Sequence, residues 1–124
     1  MILIVEDEPW LADMYTHAFS NADIRTFVAP TAADALQALD EHTQEIELVL
    51  LDVLMPEHNG IEVLYEMVGY SDWAHIPVVL LSNLTPSELH IQEHIKETLH
   101  IKRIVEKARI KPDQLVSLVQ ETLA

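Results

Sequence analysis

Short apolar runs alternate along the chain with stretches in which apolar residues recur every three or four positions. Residues 2–5 read Ile2, Leu3, Ile4, Val5 with no polar alternation, the pattern of a strand buried on both faces. Similar runs predict strands at 2–6, 24–28, 47–51 and 78–81, with a weaker fifth at 102–106. Helical spacing predicts a helix over 9–20, with Leu11, Met14, Tyr15 and Ala18 on one face. Thr31 caps a second helix, to about residue 42, with Ala32, Ala35, Leu36 and Leu39 inward. A third helix covers 60–69. The fourth starts at the capping box of Thr85 and Glu88, with Pro86 in its first turn, and turns Ile91, Ile95 and Leu99 inward. Pro112 opens the last helix, with Leu115, Leu118, Val119 and Thr122 inward. Five βα units in a row predict one α/β domain over residues 1–124. Its sheet is parallel, with helices on both faces and right-handed crossovers.

Two of the apolar runs end in acids. The first stops at Glu6, Asp7 and Glu8, and the third at Asp52, ahead of Pro56 and Gly60, which force a loop. Ligands of open α/β sheets bind at the carboxyl ends of the strands. If the two strands are parallel neighbours, Glu6, Asp7 and Asp52 converge on one pocket. Two carboxylates about 4 Å apart repel by roughly 4 kcal/mol at an effective dielectric near 20. Such a pocket calls for a cation, and an all-oxygen donor set suits Mg²⁺ best. A helix dipole accounts for Glu8, ahead of Pro9, but not for Asp52, whose helix starts about eight residues later.

Composition narrows the function classes. The chain has 124 residues, no cysteine and a formal net charge of −14. Disulfides and thiolate metal sites are excluded, and the charge argues against nucleic acid as a direct partner. No apolar stretch approaches the ~20 residues of a membrane span, and the opening run lacks the flanks of a signal peptide. A cytoplasmic protein is the expectation. Charge is uneven: Arg25 is the one base before residue 96, whereas Lys96, Lys102, Arg103, Lys107, Arg109 and Lys111 cluster after it.

Four pieces in order now carry a family resemblance: residues 2–9 (ILIVEDEP), 51–64 (LDVLMPEHNGIEVL), 76–82 (IPVVLLS) and Lys107. Together the chain resembles the response-regulator receiver domain of two-component signalling over its full length. The resemblance implies a flavodoxin-like (βα)5 three-layer sandwich with strand order 2-1-3-4-5. It makes Asp52 the phosphoacceptor for a histidine kinase or histidine phosphotransfer protein. Asp7 becomes a direct ligand of Mg²⁺ (or Mn²⁺), Glu6 a ligand through water, and Leu54 a ligand through its backbone carbonyl. Ser82 becomes the hydroxyl that turns to the phosphoryl group, and Lys107 the cation that binds a phosphoryl oxygen. Phosphoryl transfer spreads charge over three equatorial oxygens, so a divalent ion, an ammonium and a hydroxyl suit it.

The chain departs from the family pattern at several points. Many receivers follow the lysine with a cis proline; here Ala108 follows Lys107, and the only Lys-Pro pair is Lys111-Pro112. Lys107 is preferred because Pro112 reads as a helix start. Ile104 stands where an aromatic switch residue is common, and Asn83 follows Ser82 in place of a small residue. Leu54 and Leu84 flank the path of a hydrolytic water in the resemblance, which implies slow self-dephosphorylation. A stand-alone receiver is expected, with no effector domain, signalling to an unidentified protein through the surface of residues 83–124. Rival readings are an aspartyl-phosphate phosphohydrolase, a flavin-mononucleotide binder and a degenerate receiver that only binds partners. The first needs a second Asp two residues after the nucleophile; Leu54 and Glu8 stand at the two such positions. The second needs a Ser/Thr/Gly-rich phosphate loop after the first strand, where acids stand instead. The intact acids argue against the third.

Overall fold

The computed structural model describes residues 1–53, 60–84, 86–89 and 91–124. Five parallel strands form one sheet in the order β2-β1-β3-β4-β5: β1 (Ile2–Val5), β2 (Thr26–Ala29), β3 (Leu48–Asp52), β4 (Val78–Ser82) and β5 (Ile101–Glu106). Helices α1 (Pro9–Asn21), α2 (Ala32–Glu41), α3 (Ile61–Val68), α4 (Ser71–Ala74), α5 (Pro86–Leu89), α6 (Glu93–Thr98) and α7 (Pro112–Leu123) complete the chain. The sheet carries helices on both faces, as the alternation of elements predicts.

Strand periodicity divides the core into two layers. Leu3, Val5, Val49, Leu51, Val78 and Leu80 pack with Ala35 and Leu39 of α2, Leu64 and Met67 of α3, and Ile95 of α6. Ile2, Ile4, Leu48, Leu50, Val79 and Leu81 pack on the other face with Tyr15 and Phe19 of α1 and Leu115 and Val119 of α7. Every residue of β1, β3 and β4 is buried, whereas edge strands β2 and β5 are partly exposed. That contrast is why three strands read as unbroken apolar runs and the fifth reads weakly.

Several local expectations are corrected. Met14 is 45% exposed; the buried face of α1 is Ala12, Tyr15 and Phe19, and Met14 lies about 100° round the helix from Tyr15. Strand β2 begins at Thr26 because α1 ends in a Schellman motif. Ile24 N–H reaches Phe19 O at 2.9 Å and Asp23 N–H reaches Ser20 O at 3.0 Å, with Asp23 at φ 60°. The fourth helix is two pieces, α5 and α6, with Gln92 extended at φ −63°, ψ 145°. Ile91, Ile95 and Leu99 are nevertheless buried. Their spacing identified the inward side chains, not a continuous backbone. Thr85, proposed as the cap of that helix, lies outside the described residues. In β5, Val78 pairs with Ile101 and Val79 with Arg103, so Lys102 is the extra residue of a bulge.

Candidate functional site

Three strands deliver the acids, the hydroxyl and the lysine to one end of the sheet. Register pairs Val5 with Leu51, so Glu6 and Asp52 leave β1 and β3 at the same level. Both continue the parity of Ile2, Ile4, Leu48 and Leu50 and so belong to the α1/α7 face. Asp52 pairs with Leu81, which puts Ser82 one residue further out on β4, and Ser82 pairs with Glu106, which puts Lys107 just past β5. Gly60 closes the far side. Its N–H donates to Val53 O at 2.9 Å, and a Cβ there would lie 2.2 Å from the Asp52 carbonyl oxygen. No side chain fits that position, so Gly60 is fixed by space rather than by backbone angle.

Asp52 and Glu6 are 1% and 2% exposed. Lys107 Nζ donates to Asp52 Oδ2 at 2.7 Å and lies 2.9 Å from Glu6 Oε1. The Glu6 contact is a charge contact rather than an aligned hydrogen bond, and Oε1 has no hydrogen-bond partner among the described residues. Glu6 Oε2 accepts from the Glu8 N–H at 3.2 Å. Burial pushes the Glu6 carboxyl up to about 7, against the pull of the Lys107 ammonium and helped by the Asp52 charge. For Lys107, burial works downward, but the Asp52 and Glu6 carboxylates outweigh it and hold the ammonium above its ordinary range. Tyr15, buried beside these charges, is pushed up to about 12, by burial first and by Glu6 next.

Carboxylate oxygens of Glu6, Asp7 and Asp52 lie within 4.8 Å of one another. One ammonium cannot neutralise three carboxylates, and Glu6 Oε1, which meets only that shared ammonium and no aligned hydrogen-bond donor among the described residues, keeps lone-pair capacity for a metal ion. Hard oxygens, without thiolate or imidazole among the described residues of the cluster, fit Mg²⁺ or Mn²⁺. Leu54, expected to add its carbonyl, lies outside the described residues.

Ser82 is buried, and its Oγ accepts from the Leu84 N–H at 2.9 Å, which leaves the hydroxyl hydrogen free to donate elsewhere. Leu84 is half-buried against the core layer of α2 and α3. Lys111 is not part of the site: it is the exposed N-cap residue of α7, its N–H donating to Gln114 Oε1 at 2.9 Å. Trp10, at the start of α1 beside the acids, is 61% exposed. Sequence reasoning missed one contact here, between Asn83 Oδ1 and the Ala108 N–H at 3.0 Å. Nothing in the linear pattern marks a bond between residues 25 apart.

The arrangement is a cation-seeking acidic pocket whose half-buried Lys107 ammonium already rests on both buried carboxylates. The response regulator receiver domain profile matches residues 2–120, and the chain belongs to that family. It is 32% identical over 92 residues to the transcriptional regulatory protein KdpE of Mycobacterium tuberculosis, covering 74% of this chain and 38% of the relative. It is 35% identical over 100 residues to the transcriptional regulatory protein MalR of Bacillus subtilis, covering 79% of this chain and 39% of that protein. The chain thus spans under half the length of these relatives. Among solved structures, the signal receiver domain of a histidine kinase from Syntrophus aciditrophicus superposes with a TM-score of 0.79 at 28% identity, covering 98% of this chain and 88% of that one. This is a two-component receiver domain with the flavodoxin-like strand order that the resemblance implied. No helix among the described residues is long and apolar enough to cross a membrane.

Proposed function

We propose that this receiver takes a phosphoryl group from a histidine kinase or histidine phosphotransfer protein onto Asp52, in the cytoplasm, with Mg²⁺ or Mn²⁺ bound by Glu6, Asp7 and Asp52. The observation that carries this reading is the buried Asp52 carboxylate with Lys107 Nζ 2.7 Å away and two further acids beside it. A bound divalent ion supplies charge neutralisation for the phosphoryl oxygens. An Asp52 oxygen attacks phosphorus, the phosphorus–nitrogen bond breaks, and the imidazole leaves with the electron pair. Lys107 then exchanges its Asp52 contact for a phosphoryl oxygen, and the free Ser82 hydroxyl hydrogen donates to another. Because Ser82 Oγ also holds the Leu84 N–H, a turn of that hydroxyl pulls on the segment after β4. Output through the surface of residues 83–124 fits this coupling. Lys102 and Arg103 have no ion pair among the described residues and border a groove of about 500 Å³ with Ile91, Ile101 and Ile104. Such a lining suits an acidic, partly apolar protein segment. Residues 1–124 act as one receiver unit in this reading.

Intact mass tests the transfer. With acetyl phosphate and Mg²⁺ the protein gains one phosphoryl group; with a chelator, or as Asp52→Asn, it does not. No gain under any condition would leave the degenerate, partner-binding reading in place.

A further inference from the structure

Lys107 stands on a turn. Arg109 N–H donates to Glu106 O at 3.2 Å, so Lys107 and Ala108 are the two central residues between them. Strand pairing ends at Ser82 and Glu106, and one backbone bond, Lys107 N–H to Ser82 O at 3.0 Å, continues it. The Ala108 N–H has no backbone acceptor among the described residues. Asn83 Oδ1 takes it at 3.0 Å. The amide side chain therefore stands in for one more residue of β4, and pairing extends past the point where the β4 backbone turns away. Two departures from the family pattern meet in this contact: position 108 is not proline and so has an N–H, and position 83 is not small and so has an acceptor.

We infer that Asn83 is a positioning residue: by holding the Ala108 N–H it fixes the turn that presents Lys107 to Asp52 and Glu6. Lys107 is the only cation within reach of either buried carboxylate among the described residues. A turn held by its own i→i+3 bond and one strand bond would let the long lysine side chain sample positions off the site. A second anchor on the next residue narrows that range. Asn83 itself is exposed, so its effect is on where Lys107 sits rather than on the core. The step from Lys107 placement to phosphorylation rate rests on the function proposed above; the placement itself does not.

The test uses the full chain and two variants, Asn83→Ala and Asn83→Asp. Hydrogen exchange at the Ala108 amide should speed up about three- to tenfold in Asn83→Ala and stay near the wild-type rate in Asn83→Asp, which keeps an acceptor oxygen at the same reach. Mass-resolved labelling of Lys107 by an amine-reactive reagent, relative to Lys96 and Lys102, should rise by a similar factor in Asn83→Ala and return in Asn83→Asp. Phosphorylation by acetyl phosphate with Mg²⁺ should slow in parallel, with the Mg²⁺-induced rise in Tm unchanged. Equal amide exchange in wild type and Asn83→Ala would remove the bond. Faster exchange with unchanged Lys107 labelling would leave the bond without a positioning role, and either result overturns the inference. Labelling needs no phosphoryl transfer, so a protein that labels as expected but gains no phosphoryl group would count against the proposed function and not against Asn83.

Discussion

Glu6 keeps a proton well into the neutral range because its carboxyl is buried beside another carboxylate, and the metal-free protein inherits a pH dependence from it. A carboxyl raised from 4.5 to about 7 on folding gives stability that is full below about pH 4.5 and is lost as pH rises through 7. The loss is on the order of 3 kcal/mol at one pKa unit per 1.36 kcal/mol. We expect the Tm of the metal-free wild type to fall between pH 5 and pH 8 relative to Glu6→Gln, measured by calorimetry with chelator present; parallel curves would contradict the assignment. Asp7, which has no ion pair among the described residues, adds charge to the same crowd, so Asp7→Asn should raise the metal-free Tm. The acids were legible in the sequence because each ends an apolar run, where a carboxylate has no packing role. Lys107 was not legible by itself: a lysine beyond a weak edge strand looks like surface, and it took the resemblance, together with Pro112 reading as a helix start after Lys111, to select it. Asn83 was visible as an oddity but its partner was not, since the bond joins two loops.

At the scale of elements, the central strands and the helices that cover them followed from periodicity, and the exceptions have local causes. Lys102 breaks the alternation of β5 by bulging, so Ile101 and Ile104 both turn toward the core layer of α2 and α3. Helix α4, four residues long, is too short for a helical period to register. Its Trp73 packs against Tyr70 with ring centroids 4.4 Å apart and planes tilted by 46°, and the segment precedes the amino end of β4, the end of the sheet opposite the acids. Gly60 is the element boundary on which the site depends most. Gly60→Ala must displace either α3 or the carboxyl end of β3, since the new methyl would meet backbone at 2.2 Å. We expect a loss of about 1–3 kcal/mol in denaturant unfolding, with weakened Mg²⁺ binding. Asp23→Gly is expected to act in the opposite direction. It relieves a left-handed residue at the end of α1 and should stabilise by about 0.5–1 kcal/mol without touching the site.

For the whole molecule, the two core layers hold a sheet whose carboxyl end collects negative charge. A ligand that binds only the folded state stabilises it by mass action, about 2.7 kcal/mol at a hundredfold excess over Kd. Mg²⁺ should therefore raise the wild-type Tm and raise it less in Asp7→Asn; equal Tm values with and without millimolar Mg²⁺ would count against a metal site at these acids. Fold class and strand order were accessible early because five βα units leave few topologies, and the family resemblance picks one of them. What could not be read was the geometry of loops past the strands, where contacts between distant residues decide which side chains reach the pocket. The central claim is that the phosphoryl group goes to Asp52 and to no neighbouring acid. Borohydride reduction of the acetyl-phosphate-treated protein, followed by peptide mapping, converts an acyl phosphate into the corresponding alcohol and so marks the acceptor. The account predicts homoserine at position 52 alone, dependent on Mg²⁺; an alcohol at Glu6 or Asp7, or marking that persists in Asp52→Asn, would contradict it.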